Sequence, residues 1–290
     1  MFLNTHLFII AATCIIAVST GNRGRDCKSI KQIPKQHVGG FKPRIVGGFI
    51  PRIHSLPFVA YLMMFDRQGN STPCTGSIIA PRYVLTALHC LIYADSHARM
   101  TLVEVQKRMI VKVGSLYKEK GRKYSVVAHY MPPIRPGSDF QDIVLLKLNR
   151  AINFIKGKTA PVVLGRWLPK VNETLTIAGH GDRVVNGRGA KVSPYVLANV
   201  TVLGAQYNGN IVSGFWTYGD GEGASPGDSG GPALKVVNGQ YVQVGMIAVG
   251  GTYDTSDHGA CVVGLYLAIA PYCDFIQTKT NGAARCRHVD

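Results

Sequence analysis

Short runs of apolar and β-branched residues recur along most of this chain, each closed by turn-forming residues. They cover residues 58–65, 76–79, 83–86, 109–113, 143–148, 175–178, 196–203 and 241–249. Runs this short and this regularly interrupted predict an all-β sandwich or barrel. Thirty-three glycines and 15 prolines suit such a turn-rich architecture. A hydrophobic content of 46% with 17% charged residues supplies a core and argues against wholesale disorder. One segment, 268–280, is expected to form a terminal helix. No internal repeat or low-complexity tract is visible.

The N-terminal 44 residues differ from the rest. Residues 7–18 form an apolar run of 12, too short to span a bilayer comfortably, and the small residues Ala17, Ser19 and Gly21 surround its end. Residues 1–20 are therefore expected to be a secretory signal peptide, and the product to be extracellular. No other segment approaches membrane-spanning length, so no membrane partner is expected. Residues 21–44 read as a propeptide. Its residues 22–44 carry seven basic side chains and one acid, contributing +6 to a net charge of +16. The remaining +10 fits either a soluble basic surface with no specific partner or a polyanion partner such as a sulfated glycan, whereas no motif accompanies the charge that would make nucleic acid a partner. Asn70, Asn172 and Asn199 begin glycosylation sequons, Asn199 within an apolar run.

Of seven cysteines, Cys14 falls in the expected signal, and six remain: Cys27, Cys74, Cys90, Cys261, Cys273 and Cys286. An even number in a secreted chain implies disulfides, and no Cys-x-x-Cys spacing suggests zinc. Cys74 and Cys90 are expected to pair across a hairpin-sized loop. The other four allow three pairings. Cys273–Cys286 is favoured because it closes a short C-terminal loop, which leaves Cys27–Cys261 as a tether for the propeptide.

Three segments carry chemistry. Gly227-Asp228-Ser229-Gly230-Gly231-Pro232 offers a serine on a tight turn, with glycines that let backbone N–H groups approach a developing oxyanion. Leu85-Thr86-Ala87-Leu88-His89-Cys90 places a histidine beside a cysteine that a disulfide would pin. Asp142 precedes the apolar run Ile143-Val144-Leu145-Leu146-Lys147-Leu148. A carboxylate entering such a strand is partly buried and needs a partner, which an imidazole can be.

Together these residues resemble the chymotrypsin/trypsin family of serine peptidases, from Arg44-Ile45-Val46-Gly47-Gly48 to Gly264-Leu265-Tyr266 and on to Ile276. The order His, Asp, Ser fits that family and not the subtilisin-like or α/β-hydrolase orders. The resemblance implies two antiparallel six-stranded β-barrels with a C-terminal helix, the barrels spanning roughly 45–163 and 164–278 of a peptidase domain at 45–290. It implies catalysis by His89, Asp142 and Ser229, with an oxyanion hole from the N–H groups of Gly227 and Ser229. It implies a zymogen, cut after Arg44 by a trypsin-like activator, whose new amino group at Ile45 pairs with Asp228. A monomer acting on protein or peptide substrates, subject to protein inhibitors, is expected. The family's calcium-loop glutamates have no counterpart at 115–121, so neither metal nor cofactor is expected.

The same resemblance places the primary pocket at Gly223, with walls near Gly250 and Gly264. An uncharged slot favours a large apolar residue such as Phe, Tyr, Leu or Met. Elastase-like preference for smaller residues is the alternative if Val249 or Ser225-Pro226 narrows it. Glu222, Asp254 and Asp257 are the acids that would favour Lys or Arg instead. Four departures stand out: Ala248 where the family has serine, His180 where it has tryptophan, Leu88 where it has a small residue, and Ser225 where it has cysteine. They keep open a non-catalytic homologue acting as a binding or cofactor protein. A polyanion-binding structural protein is a third reading, resting on charge alone.

Overall fold

A computed structural model describes residues 48–52, 55–93, 100–133, 141–181, 183–185, 188–190, 194–208, 211–255 and 259–288. The expected signal peptide, the propeptide, Arg44, Ile45 and Cys27 lie outside them, as does Asp257.

Six strands close the first barrel: β1 (Val59–Phe65), β2 (Ser71–Ala80), β3 (Tyr83–Thr86), β4 (Met109–Val113), β5 (Arg122–Tyr130) and β6 (Val144–Leu148), neighbours in the order β1-β2-β3-β6-β5-β4. Period-2 patterning orients them: along β4, Met109, Val111 and Val113 are buried while Ile110 and Lys112 are half-exposed. Two short helices follow β3, α1 (His89–Tyr93) and α2 (Leu102–Lys107). α2 begins with a capping box in which the Thr101 hydroxyl accepts from Glu104 N and the Glu104 side chain accepts from Thr101 N.

Beyond the short β7 (Val163–Gly165) come β8 (Thr174–Gly179), the hairpin β9 (Arg183–Val185) and β10 (Arg188–Ala190), then β11 (Val196–Asn208), β12 (Ile211–Asp220), β13 (Pro232–Val237), β14 (Gln240–Thr255) and β15 (Gly259–Ala268). Strands β13, β8, β11, β12, β15 and β14 pair antiparallel in that order, and a β13–β14 pairing closes the second six-stranded barrel. β7 adds to β14 in parallel, and β16 (Cys286–Arg287) adds to β7 in parallel. The expected terminal helix is a 3-10 turn at Ala270–Tyr272 leading into α3 (Cys273–Lys279). Among the described residues no helix is long and apolar enough to cross a membrane.

One apolar cluster fills the first barrel and runs on into Ala178, Tyr195, Leu197 and Met246 of the second half. A second cluster, including Ile177, Val200, Phe215 and Tyr266, fills the other barrel, where Phe215 and Tyr266 stack with centroids 5.6 Å apart. Hydrogen bonds cross the junction: Leu56 N donates to the Tyr195 hydroxyl at 3.2 Å, and Tyr195 N donates to Leu116 O at 2.8 Å. The site lies along this seam.

The Cys74–Cys90 and Cys273–Cys286 disulfides are both formed. Cys261 is buried in β15; its expected mate, Cys27, lies outside the described residues. Asn70, Asn172 and Asn199 are all exposed, Asn199 because it occupies an outward position in β11 despite its apolar neighbours.

Candidate active site

His89 opens α1, where the chain leaves β3, and the adjacent Cys90 is bonded to Cys74 in β2. The disulfide fixes the backbone on one side of the imidazole; Asp142 fixes it on the other. One carboxylate oxygen of Asp142 accepts from His89 N at 2.8 Å, and the other lies 2.7 Å from His89 Nδ1. A carboxylate bound to both backbone and ring sets the imidazole's position and favours the tautomer protonated at Nδ1. Asp142 is buried, and among the described residues it accepts two hydrogen-bond contacts, both from His89. The hydroxyl that the family provides at position 248 is absent from Ala248.

Ser229 sits on the turn between β12 and β13. Asp228 N donates to Ser225 O at 3.0 Å and Gly231 N donates to Asp228 O at 2.8 Å, which folds the loop tightly. Gly227 and Gly230 take φ of +94° and +80°, a region that favours glycine. A Cβ on Gly230 would stand 2.0 Å from the Thr86 hydroxyl. The turn docks on the first barrel: Thr75 N donates to Ser229 O at 2.9 Å, and Cys90 Sγ lies 3.7 Å from the same carbonyl. The backbone at Ser229 and the segment carrying His89 are thus held against neighbouring residues of the first barrel. Among the described residues the N–H groups of Gly227 and Ser229 donate to no other group of the chain.

Thr75 is a connector that motif reading did not single out. Fully buried, it donates through its hydroxyl to Gly227 O at 2.9 Å and accepts from His180 N at 2.9 Å, so one side chain ties both halves of the second barrel's loop structure to the first barrel. Its position directly after Cys74 was the available signal.

Asp228 is completely buried. Its carboxylate accepts from Gly181 N at 2.7 Å and from Ser225 N at 2.9 Å. Close approach explains the glycines around it: a Cβ on Gly179 would fall 2.0 Å from Asp228 Oδ1. His180, between those glycines, is also buried, packed edge-on against Tyr61 and Tyr195 with centroids 5.2 and 5.4 Å away. Among the described residues its Nδ1 has no hydrogen-bond partner. Burial, aided by the charge of Lys118, pushes its pKa down from 6.5 to about 3.

Gly250 and Gly264 are cross-strand partners in β14 and β15. Gly250 lies against Ala224, and Gly223 lies against Val262, so the three glycines do converge on one region. Val262, however, occupies the space toward which Gly223 would project a side chain: a Cβ there would meet Val262 Cγ1 at 2.4 Å. Tyr266 closes the region beneath Gly264, and burial pushes its phenol pKa upward.

Comparison with known proteins bears on the family and the fold. The family model described as Trypsin matches residues 45–276. The chain is 29% identical to venom serine protease 34 of Apis mellifera, covering 90% of this chain and 65% of that protein. It is 26% identical to phenoloxidase-activating enzyme 1 of Spodoptera litura (81% and 66% covered) and 28% identical to serine protease SP24D of Anopheles gambiae (81% and 80%). The chain thus spans just under two thirds of the first two relatives. A solved structure, the scabies mite inactivated protease paralogue S-D1, shares the fold with a TM-score of 0.62 at 19% identity, over 84% of this chain and 100% of that one.

Proposed function

Because the chain belongs to the trypsin family of serine peptidases, we propose that it is a secreted endopeptidase, made as a zymogen, that cuts peptide bonds through an acyl-enzyme. The observation that carries this reading is the doubly bonded Asp142–His89 pair, with the Ser229 carbonyl beside Cys90. Ser229 Oγ attacks the scissile carbonyl while His89 Nε2 takes its proton. His89 then passes that proton to the leaving amine, and Asp142 stabilises the imidazolium throughout. The N–H groups of Gly227 and Ser229 face the oxyanion, each contributing about 3–4 kcal/mol of transition-state stabilisation. Water, activated by the same histidine, releases the acyl group.

Activation follows cleavage after Arg44. The Ile45 amino group then pairs with Asp228. Phe49, four residues on, is bridged to Leu197 of β11, which pairs with Ala178 beside Gly179. Four extended residues reach about 13–14 Å, enough to return toward Asp228 from that anchor. A trypsin-like activator is the implied partner.

The pocket takes an apolar residue. Gly223 brings no charge, and burying an unpaired Lys or Arg against Val262 would cost several kcal/mol. Phe, Tyr, Leu and Met form the expected set, with Val262 favouring its smaller members. Chromogenic peptides ending in Phe, Leu, Ala and Arg test this on the activated chain. Leu and Phe substrates should be cut at least tenfold faster than Arg, and Val262→Ala should shift preference toward Phe. A clear preference for Arg would reject the pocket assignment.

A second reading, a binding homologue without catalysis, draws on Ala248, which brings no hydroxyl, and on Asp142, which among the described residues accepts hydrogen bonds from His89 alone.

A further inference from the structure

The first barrel concentrates positive charge that peptide hydrolysis does not use. Residues 112–123 hold Lys112, Lys118, Lys120, Arg122 and Lys123 against a single acid, Glu119, and residues 150–158 add Arg150, Lys156 and Lys158 with none. Strand pairing gathers them at one end. Arg122 lies opposite Val113, and Lys123 directly opposite Lys112. Like charges facing each other across an antiparallel ladder repel, so this arrangement costs stability unless an anion relieves it.

At the same end Arg122 and Lys158 line a recess of about 200 Å³, together with Tyr124, Asn153 and Ile155. Arg150 adds a third cation, its guanidinium 4.6 Å from the centroid of the Tyr124 ring. Arg150, Lys112 and Lys120 are held by carbonyls and ring faces. Arg150 donates to Lys123 O at 2.9 Å, and Lys112 Nζ donates to Lys118 O at 3.0 Å while lying 5.8 Å from the Tyr61 centroid. Lys120 Nζ is 5.7 Å from the Tyr117 centroid. Such contacts orient a cation without cancelling its charge. Among the described residues, the ion pairs Arg67–Glu104, Arg166–Asp274 and Lys235–Glu173 are made by other cations.

We propose that this end of the first barrel is a binding site for a linear sulfated polysaccharide. Arg122, Arg150 and Lys158 receive one sulfate group at the recess, and Lys112 and Lys123 meet the next along the chain. A sulfate presents acceptor oxygens in several directions, matching converging guanidinium and ammonium donors. A concave, cation-lined recess admits a group projecting from a polymer, whereas a flat anionic bilayer would touch only its rim. None of these residues belongs to the catalytic constellation, so the site stands or falls apart from the peptidase reading.

Heparin binding to the full chain tests it. The variant Arg122→Gln/Lys123→Gln/Lys158→Gln is compared with Lys170→Gln/Lys279→Gln/Arg287→Gln, which loses the same charge elsewhere and keeps the basic segment 22–44. The first variant should bind roughly tenfold or more weakly at physiological salt, with the slope of log affinity against log salt reduced by about two to three. The second should change little. Without any substitution, bound heparin oligosaccharide should protect Lys123 and Lys158 from acetylation. Equal weakening of both variants, or no protection, overturns the site. Displacement of heparin by polyglutamate or anionic vesicles as readily as by dextran sulfate overturns the ligand class.

Discussion

His180 shows how one residue can make a catalytic scaffold sensitive to pH without taking part in catalysis. Its ring is buried beside the Asp228 loop, with a pKa of about 3 in the folded chain against the usual 6.5. As pH falls through 6.5 the unfolded chain takes up a proton that the folded chain does not, so stability is lost progressively down to about pH 3. Between pH 6.5 and 4.5 this amounts to about 2–3 kcal/mol. His180→Phe, which keeps a planar ring between Tyr61 and Tyr195, should flatten the fall in Tm between pH 7 and 4.5. An unchanged pH slope would show that the histidine is not its source. At this scale the His89–Asp142 pairing and the tight turn at Ser229 were legible in the sequence, because each residue sits in a distinctive local segment. Thr75 and Val262 were not, because their roles arise only when distant strands meet: Thr75 bonds to the 227 and 180 segments, and Val262 packs on Gly223.

Strands were readable where burial enforces a simple pattern. The apolar runs at 109–113 and 143–148 became β4 and β6. β5 was harder to see, since it begins with Arg122 and Lys123 and alternates exposed with buried positions. β12 and β15 are interrupted by Gly214, Gly219 and Gly264, which weaken a strand signal. Only pairing on both sides, β12 with β11 and β15 and β15 with β14, makes them regular. The parallel β7–β16 strip had no local signature at all. The Cys273–Cys286 disulfide, closing 13 residues, staples α3 to that strip. Replacing both cysteines by alanine should cost about 2–4 kcal/mol and lower Tm, with hydrogen exchange accelerating first in α3 and β16. An unaltered melting curve would mean that packing of Ile276 and Tyr272 holds the terminus unaided.

For the whole molecule, the two barrels supply complementary halves of the proposed reaction centre: His89 and Asp142 come from the first, and Ser229 and the buried Asp228 from the second. The proposed activation step couples that centre to the N-terminus. Arg44→Gln should therefore leave the chain folded but resistant to activation by trypsin, and normal activation with Ile45 still exposed as the new N-terminus would refute the cleavage site. Catalytic competence itself is tested most directly by active-site labelling. The chain is cleaved after Arg44, the Ile45 terminus is verified by sequencing, and a fluorophosphonate is added. One equivalent should attach to Ser229, with labelling abolished by Ser229→Ala and strongly slowed by His89→Ala. A correctly cleaved, folded chain that takes up no phosphonate would contradict the account.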